Sequence, residues 1–196
     1  SGRNTAITSI PYTFADDTKR YEVKGTYSLN SNHRFVGAYS KIKEVQENNT
    51  FNSNLSMDLA SLGDRELPED LYTVNYTGVV TSRLFVEGRY SSRHQSFIGS
   101  GSRFTDLEHG TLLIDRSRGN TRYWTDTFCG VCDPEKRDNQ DVFLKGSYFL
   151  STKALGSHSM TFGYDMFDDK RFANNHQSGS DYRILGTSAI IQGTGA

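Results

Sequence analysis

Strict alternation between apolar and polar residues constrains this chain more than any other feature of its sequence. Side chains on an extended strand point alternately to opposite faces, so a period of two predicts strands with one apolar and one polar face. Between residues 18 and 29 the apolar face holds Tyr21, Val23, Gly25, Tyr27 and Leu29, and the opposite face holds Arg20, Glu22, Lys24, Thr26 and Ser28. Similar stretches predict further strands at about 33–43, 71–80, 84–93, 142–151 and 159–166, and a seventh from about 182 to 191.

The lengths of these strands and of their connections favour a membrane barrel. The predicted strands run about 10 to 14 residues, whereas strands of soluble proteins typically have about 5 or 6 and a tilted barrel strand needs about 9 to 11. Short turns near residues 30, 81 and 154 alternate with long polar segments at 45–70, 98–139 and 169–181. Outer-membrane barrels sort their connections in this way, with short periplasmic turns and long extracellular loops. The predicted fold is therefore all-β, a segment of an antiparallel up-and-down transmembrane β-barrel with about seven long strands.

Composition excludes several other classes of protein. The 22 Lys and Arg residues nearly balance the 23 Asp and Glu residues, for a net charge of -1, so no nucleic-acid partner is expected. No apolar run approaches the roughly 18 to 20 residues of a membrane-spanning helix. The 11 Tyr and 12 Phe residues argue against disorder, because a disordered chain would leave these rings in water.

The charges predict which face of each strand meets lipid. A Lys or Arg at mid-membrane on the lipid side costs about 2 to 4 kcal/mol, so the apolar faces are expected to point outward and the charged faces into a wet lumen. Charges there are expected to pair with neighbours of opposite sign; they include Glu87, Arg89 and Arg93 on one strand and Arg20, Glu22 and Lys24 on another. The second strand alternates ambiguously. A Gly-x-Tyr unit found in four strands assigns Phe35, Gly37 and Tyr39 to its outward face, because a ring can cover the bare backbone of a nearby glycine.

All three prolines, Pro11, Pro68 and Pro134, fall outside the predicted strands. A closed ladder requires this, because proline lacks the N–H that a ladder hydrogen bond needs.

Several stretches of the sequence resemble the barrel of TonB-dependent outer-membrane receptors, and most closely the Oar-like branch of that family. They are FVEGRYSSR (85–93), TFCGVCDPEKRDN (127–139), FLKGSYFLSTKALGSHSMTFGYD (143–165) and NNHQSGSDYRI (174–184). The resemblance spans most of residues 18–192. It implies a barrel of 22 strands, plugged by an N-terminal domain and driven through the TonB complex, that binds and imports a large or scarce solute.

The chain departs from the family pattern in ways that define what it is expected to be. No TonB box or plug is visible, and about seven strands are too few for the family barrel. Residues 1–196 are therefore expected to be a partial outer-membrane barrel domain, located in the cell outer membrane and in contact with its lipid. The TonB complex would act through parts of the parent protein that are not in this chain.

The candidate site residues lie in the 98–139 segment. Cys129 and Cys132 form a CxxC pair, which in an exported protein most simply makes a disulfide; metal or redox chemistry is the alternative. Tyr123 and Trp124 are candidates to stack on a sugar or peptide, the alternative being that they pack the loop itself. The five His residues show no HExxH spacing and no GxSxG motif accompanies them. We therefore expect no catalytic residue, no metal and no cofactor.

The sequence is compatible with two other functions. A passive porin or adhesion barrel would have the same strand pattern without a plug or an energy source. A soluble β-sandwich, such as a carbohydrate-binding module, would bury Tyr21, Tyr76 and Phe162 between two sheets. The barrel instead leaves these rings on the outer surface.

Overall fold

The computed structural model describes residues 13–49, 62–99, 104–123, 134–173 and 176–187. The fold is all-β and its strands are mostly antiparallel. Six long strands make one sheet and three short strands make a second. The long strands are β1 (Ala15–Asn30), β2 (His33–Asn49), β3 (Gly63–Thr81), β4 (Leu84–Phe97), β7 (Glu135–Thr152) and β8 (Gly156–Phe172). The short strands are β5 (Leu112–Asp115), β6 (Thr121–Tyr123) and β9 (Arg183–Gly186).

The main sheet is an antiparallel meander in the order β1-β2-β3-β4-β7-β8. Tight turns join β1 to β2, β3 to β4 and β7 to β8 at the three predicted positions. The long connections all leave from the opposite ends of the strands. Asn and Thr side chains support two of these turns: Asn30 accepts from the backbone N–H of Asn32 at 2.8 Å, and Thr81 accepts from that of Leu84 at 3.1 Å. In the part of the chain that is described, β1 and β8 form the free edges of the sheet.

The strands extend further on the loop side than the sequence predicts. They contain 14 to 19 residues, and β2 and β3 together take up half of the predicted 45–70 loop. The alternation that reveals a strand needs apolar residues at every second position, and the loop-side ends are polar on both faces. The backbone ladder continues there without that pattern.

The prediction that every proline lies outside the strands is wrong for Pro68, which lies within β3 opposite Lys43 of β2. The structure also explains how the ladder tolerates it. The β3–β4 ladder begins at Glu69, and beyond Pro68 only an isolated bridge joins Glu66 to Ile98. The missing N–H therefore falls in a gap near the end of that ladder, where β4 is about to finish.

The predicted seventh strand is also corrected. It does not extend the meander: β9 covers only Arg183–Gly186 and pairs in parallel with β5 in the small sheet, whose order is β6-β5-β9. Residues 188–191 of that prediction lie outside the described residues. Pairing with a parallel strand that is distant in sequence does not change the local alternation of apolar and polar residues. That alternation therefore could not predict this pairing.

The buried apolar side chains of the described residues lie outside the meander's centre. Leu112 and Ile114 of β5 are buried in the small sheet, and Leu62 is buried just before β3. No helix in the described part of the chain is long and apolar enough to cross a membrane.

Candidate functional site

The main sheet has one face composed of aromatic, aliphatic and glycine residues, here called the aromatic face. The strand register places these residues opposite one another across all six strands; for example, Tyr27, Phe35, Tyr76, Gly88, Leu144 and Tyr164 form one continuous row. Its members are Tyr21, Val23, Gly25, Tyr27, Leu29, Phe35, Gly37, Tyr39, Tyr72, Val74, Tyr76, Gly78, Leu84, Val86, Gly88, Tyr90, Val142, Leu144, Gly146, Tyr148, Met160, Phe162, Tyr164 and Met166. The register thus puts Phe35, Gly37 and Tyr39 on the face to which the sequence assigned them.

The aromatic face is open rather than packed against a second layer. Tyr21 and Phe162, at opposite ends of the sheet, each leave 59% of their surface exposed, and Val74 in its middle leaves 49%. No Asp, Glu, Lys or Arg occurs among the members of this face. A continuous apolar surface of this extent is larger than a soluble monomer usually leaves uncovered.

Rings pack on one another within the aromatic face. Tyr39 and Tyr72 stack with centroids 4.8 Å apart, and Phe35 lies 4.9 Å from Tyr76. The polar atoms of these tyrosines find partners at the rims of the face: Tyr39 Oη donates to Asp70 Oδ1 at 2.5 Å, and Tyr76 Oη lies 2.7 Å from His33 Nδ1. Both hydroxyls therefore have a polar partner, although their rings pack among apolar side chains.

Ring coverage of glycine occurs at fewer places than the Gly-x-Tyr units predict. The Phe162 ring covers Gly146 from the neighbouring strand, where a Cβ would meet it at 2.5 Å, and Tyr76 covers Gly78. A Cβ at Gly25 would meet no atom, and one at Gly37 only a backbone oxygen at 4.0 Å. Tyr27 and Tyr39 therefore do not cover these two glycines.

The opposite face, here called the ionic face, carries charges linked across strands. Lys145 Nζ lies 2.9 Å from Glu87 Oε2, and Arg89 Nε lies 3.0 Å from Asp141 Oδ1. Arg93 Nη2 donates to Glu69 Oε2 at 2.8 Å. The sequence predicted that Glu87, Arg89 and Arg93, and likewise Arg20, Glu22 and Lys24, would pair with opposite charges. The structure confirms this for Glu87, Arg89 and Arg93, and Arg20 pairs with Glu22 within β1. Lys24 forms no ion pair with the described residues.

A groove of about 550 Å³ runs along the ionic face of β1, β2 and β3. Its charged and polar lining includes Arg20, Lys24, Ser40, Glu69 and Thr73. These side chains can hydrogen-bond water or a polar solute. Within the described residues, no cluster of three or more His, Cys, Asp or Glu side chains is arranged to hold a metal ion.

The loop-side candidates are only partly described. Tyr123 ends β6, opposite Leu113 of β5, and is half-buried. Trp124, Cys129 and Cys132 lie outside the described residues, so the structure does not bear on the predicted disulfide.

The small sheet joins two connections that are far apart in sequence, and no local pattern of residues predicts this pairing. Ser178, only 1% exposed, donates its hydroxyl to the backbone oxygen of Tyr182 at 2.5 Å. Thr111 donates to the backbone oxygen of Leu107 at 2.6 Å, and its hydroxyl lies 2.7 Å from that of Ser180. The contact between Thr111 and Ser180 ties the segment after β8 to the β4–β7 connection, as do two backbone hydrogen bonds, from Leu112 N–H to the oxygen of Tyr182 at 3.3 Å and from Ser180 N–H to the oxygen of Gly110 at 3.2 Å.

Comparison with known proteins adds no relative to this description. No protein-family model matches the chain, and neither a curated protein nor a solved structure matches it significantly.

Proposed function

We propose that this chain is part of the barrel of a TonB-dependent outer-membrane receptor of the Oar-like kind, which binds and imports a large or scarce solute. In this proposal the aromatic face contacts outer-membrane lipid and the ionic face lines a wet lumen. The observation that carries the proposal is the contrast between these faces: one is exposed and free of ionic side chains, and the other carries cross-strand ion pairs.

The cost of exposing the aromatic face to water supports lipid as its partner. Each fully exposed Val, Leu or Phe side chain forgoes about 1.5 to 3 kcal/mol of burial free energy. Contact with lipid hydrocarbon would provide this burial free energy for all the apolar side chains of the aromatic face. A soluble β-sandwich would bury Tyr21 and Phe162 between sheets, but each is 59% exposed.

The sorting of the connections supports a barrel orientation. The three tight turns lie at one end of the strands of the main sheet. The long connections, which include the small sheet, lie at the other end. We propose that the turns face the periplasm and that the long connections, including Tyr123 and Trp124, face the extracellular solute. Binding and transport, rather than catalysis, is the proposed activity.

Cell fractionation of the intact protein that carries this chain tests the proposed location. We expect recovery in the outer membrane, with gel migration that changes on heating as folded barrels do. A periplasmic fraction holding freely soluble protein would refute the proposal.

Energy coupling is tested separately, by following growth on candidate solutes in cells with and without a functional TonB complex. A receptor predicts uptake that is lost together with TonB. Uptake that persists without TonB would instead favour the passive porin.

A further inference from the structure

The outer strand of the small sheet, β9, exposes apolar side chains that the proposed contact with lipid does not explain. Ile184 and Leu185 are neighbours in sequence, so their side chains point to opposite faces of the strand. They leave 49% and 43% of their surface exposed. Tyr182, just before the strand, is exposed as well. These residues belong to the connections at the loop-side ends of the long strands and lie outside the aromatic face.

The backbone of β9 pairs with a described strand along one edge only. It is the last strand in the order β6-β5-β9 and runs parallel to β5. Leu112 N–H donates to the oxygen of Tyr182 at 3.3 Å. In a parallel ladder every second residue of a strand bonds to the same neighbour, so Ile184 also faces β5. The N–H and C=O groups of Leu185 therefore point to the opposite, outer edge.

The register of the small sheet builds an apolar row that ends at this outer edge. Tyr123 of β6, Leu113 of β5 and Ile184 of β9 are level with one another and share one face of the sheet. Tyr123 and Leu113 are half-buried, whereas Ile184 at the end of the row is exposed. A further strand against the outer edge would place a side chain beside Ile184 and cover it. The row includes Tyr123, which the sequence selected as a candidate contact for a solute.

We propose that the outer edge of β9 binds an extended peptide by β-strand addition. A strand edge that presents backbone N–H and C=O groups beside exposed apolar side chains is a template for pairing with another chain. A peptide supplies the matching donors and acceptors at the spacing of the ladder, which a sugar does not. This inference rests on the proposed function, because it names the class of solute that the loop-side connections bind.

Charge near the two ends of β9 favours a peptide with acidic residues around an apolar centre. Arg183 begins the strand and is exposed, and the short helical turn Arg116–Arg118, which follows β5, contacts β9. Peptide side chains beside Ile184 and Leu185 would each meet an exposed apolar neighbour, so apolar residues are preferred there on both faces. The preferred peptide therefore has two adjacent apolar residues flanked by aspartate or glutamate.

Binding of synthetic hexapeptides to the intact protein in detergent micelles tests this proposal. Each peptide carries aspartate at both ends, threonine next to each aspartate and one pair of valine, isoleucine, leucine or phenylalanine residues at its centre, in every combination. Polarisation of an attached fluorophore reports binding. N-methylation of the peptide nitrogens that bond to β9 should weaken the best peptide about tenfold, because it removes ladder hydrogen bonds. Methylation of the alternate nitrogens is the matched control and should have much less effect.

Substitution of Leu185 tests the same edge from the side of the protein. Leu185→Pro removes the outward N–H and spares the bonds to β5, because proline is tolerated where the N–H of an edge strand faces away from its sheet. We expect it to weaken peptide binding about tenfold, whereas Leu185→Val, which keeps the N–H, should bind almost as the native protein does. Hydrogen exchange at the β5 amides verifies that the small sheet stays folded. If Leu185→Pro unfolds it, the methylated peptides alone decide.

Three results would overturn the proposal. They are failure of every peptide to bind the folded protein, binding that backbone methylation does not weaken, and slow exchange of the Leu185 amide before any peptide is added. The last result would mean that another part of the chain or a second copy already pairs with the edge. None of the three affects the proposed function, which is tested by recovery in the outer membrane.

Discussion

The two sheets of this protein handle apolar side chains in opposite ways. The small sheet buries Leu112 completely and Ile114 almost so, as a soluble module does. The main sheet leaves Val74 at its centre 49% exposed, although Val74 has a strand on either side. The small sheet therefore has a buried core of its own, whereas no second layer of the described residues covers the aromatic face of the main sheet.

The largest loss of stability is expected for a substitution in the core of the small sheet. Leu112→Ala removes a fully buried side chain and should cost about 2 to 5 kcal/mol of local stability. Hydrogen exchange should accelerate at the β5 and β9 amides and stay unchanged in β2 and β3. Equal acceleration in both sheets would mean that they unfold as one unit.

A charge introduced on the aromatic face should have the next largest effect. Val74→Arg should lower the free energy of unfolding in lipid vesicles by about 2 to 4 kcal/mol, because arginine at mid-membrane loses its hydration. Its neighbour Thr73 lies on the ionic face, so Thr73→Arg is the matched control and should change stability by much less. Urea titration of the folded fraction measures both. Equal stability of the two variants would contradict the proposal that the aromatic face contacts lipid and the ionic face contacts water.

Disrupting an ion pair on the ionic face should matter less. Glu87 and Lys145 are both partly exposed, so their coupling energy should be about 0.2 to 1 kcal/mol and should fall as salt is added. A double-mutant cycle with Glu87→Gln and Lys145→Met isolates that term. A coupling of several kcal/mol would indicate a dry lumen instead of a wet one.

The smallest expected effect concerns pH in the β4–β7 connection. Asp106 Oδ1 accepts from the backbone N–H of His109 at 2.8 Å and from that of Glu108 at 3.0 Å, and these bonds lower the pKa of the carboxyl. A lowered pKa stabilises the turn above the ordinary value of about 3.8, and this contribution is lost as the pH falls through the lowered value. Protection of the Glu108 and His109 amides, measured as their exchange rate relative to the unstructured rate at the same pH, should therefore fall only in acid, and Asp106→Asn should remove this pH dependence of the protection.

The sequence could predict the main sheet because its alternation and turn residues are local signals. Tyr21 to Leu29 and Val142 to Leu150 reveal their strands without reference to any partner. The loop-side ends escape prediction because both faces are polar there, and Pro68 misleads because its compatibility depends on where β4 ends.

The small sheet could not be predicted from the sequence, and the reason differs from that for the loop-side strand ends. The parallel pairing of Leu113 with Ile184 joins positions about 70 residues apart. Ser178 shows the same limit, because a serine with 1% exposure is indistinguishable in sequence from one in solvent.

The connection of the main sheet through three tight hairpins has a consequence for how such a sheet can change in size. Each hairpin, β1–β2, β3–β4 or β7–β8, contributes two strands of opposite direction. It therefore returns the chain to the side of the sheet that carries the long connections. Duplication or loss of one whole hairpin would preserve the side of every remaining ring and the polarity of every loop. Gene-level variation in units of two strands is therefore compatible with this architecture, whereas a single-strand change would invert it.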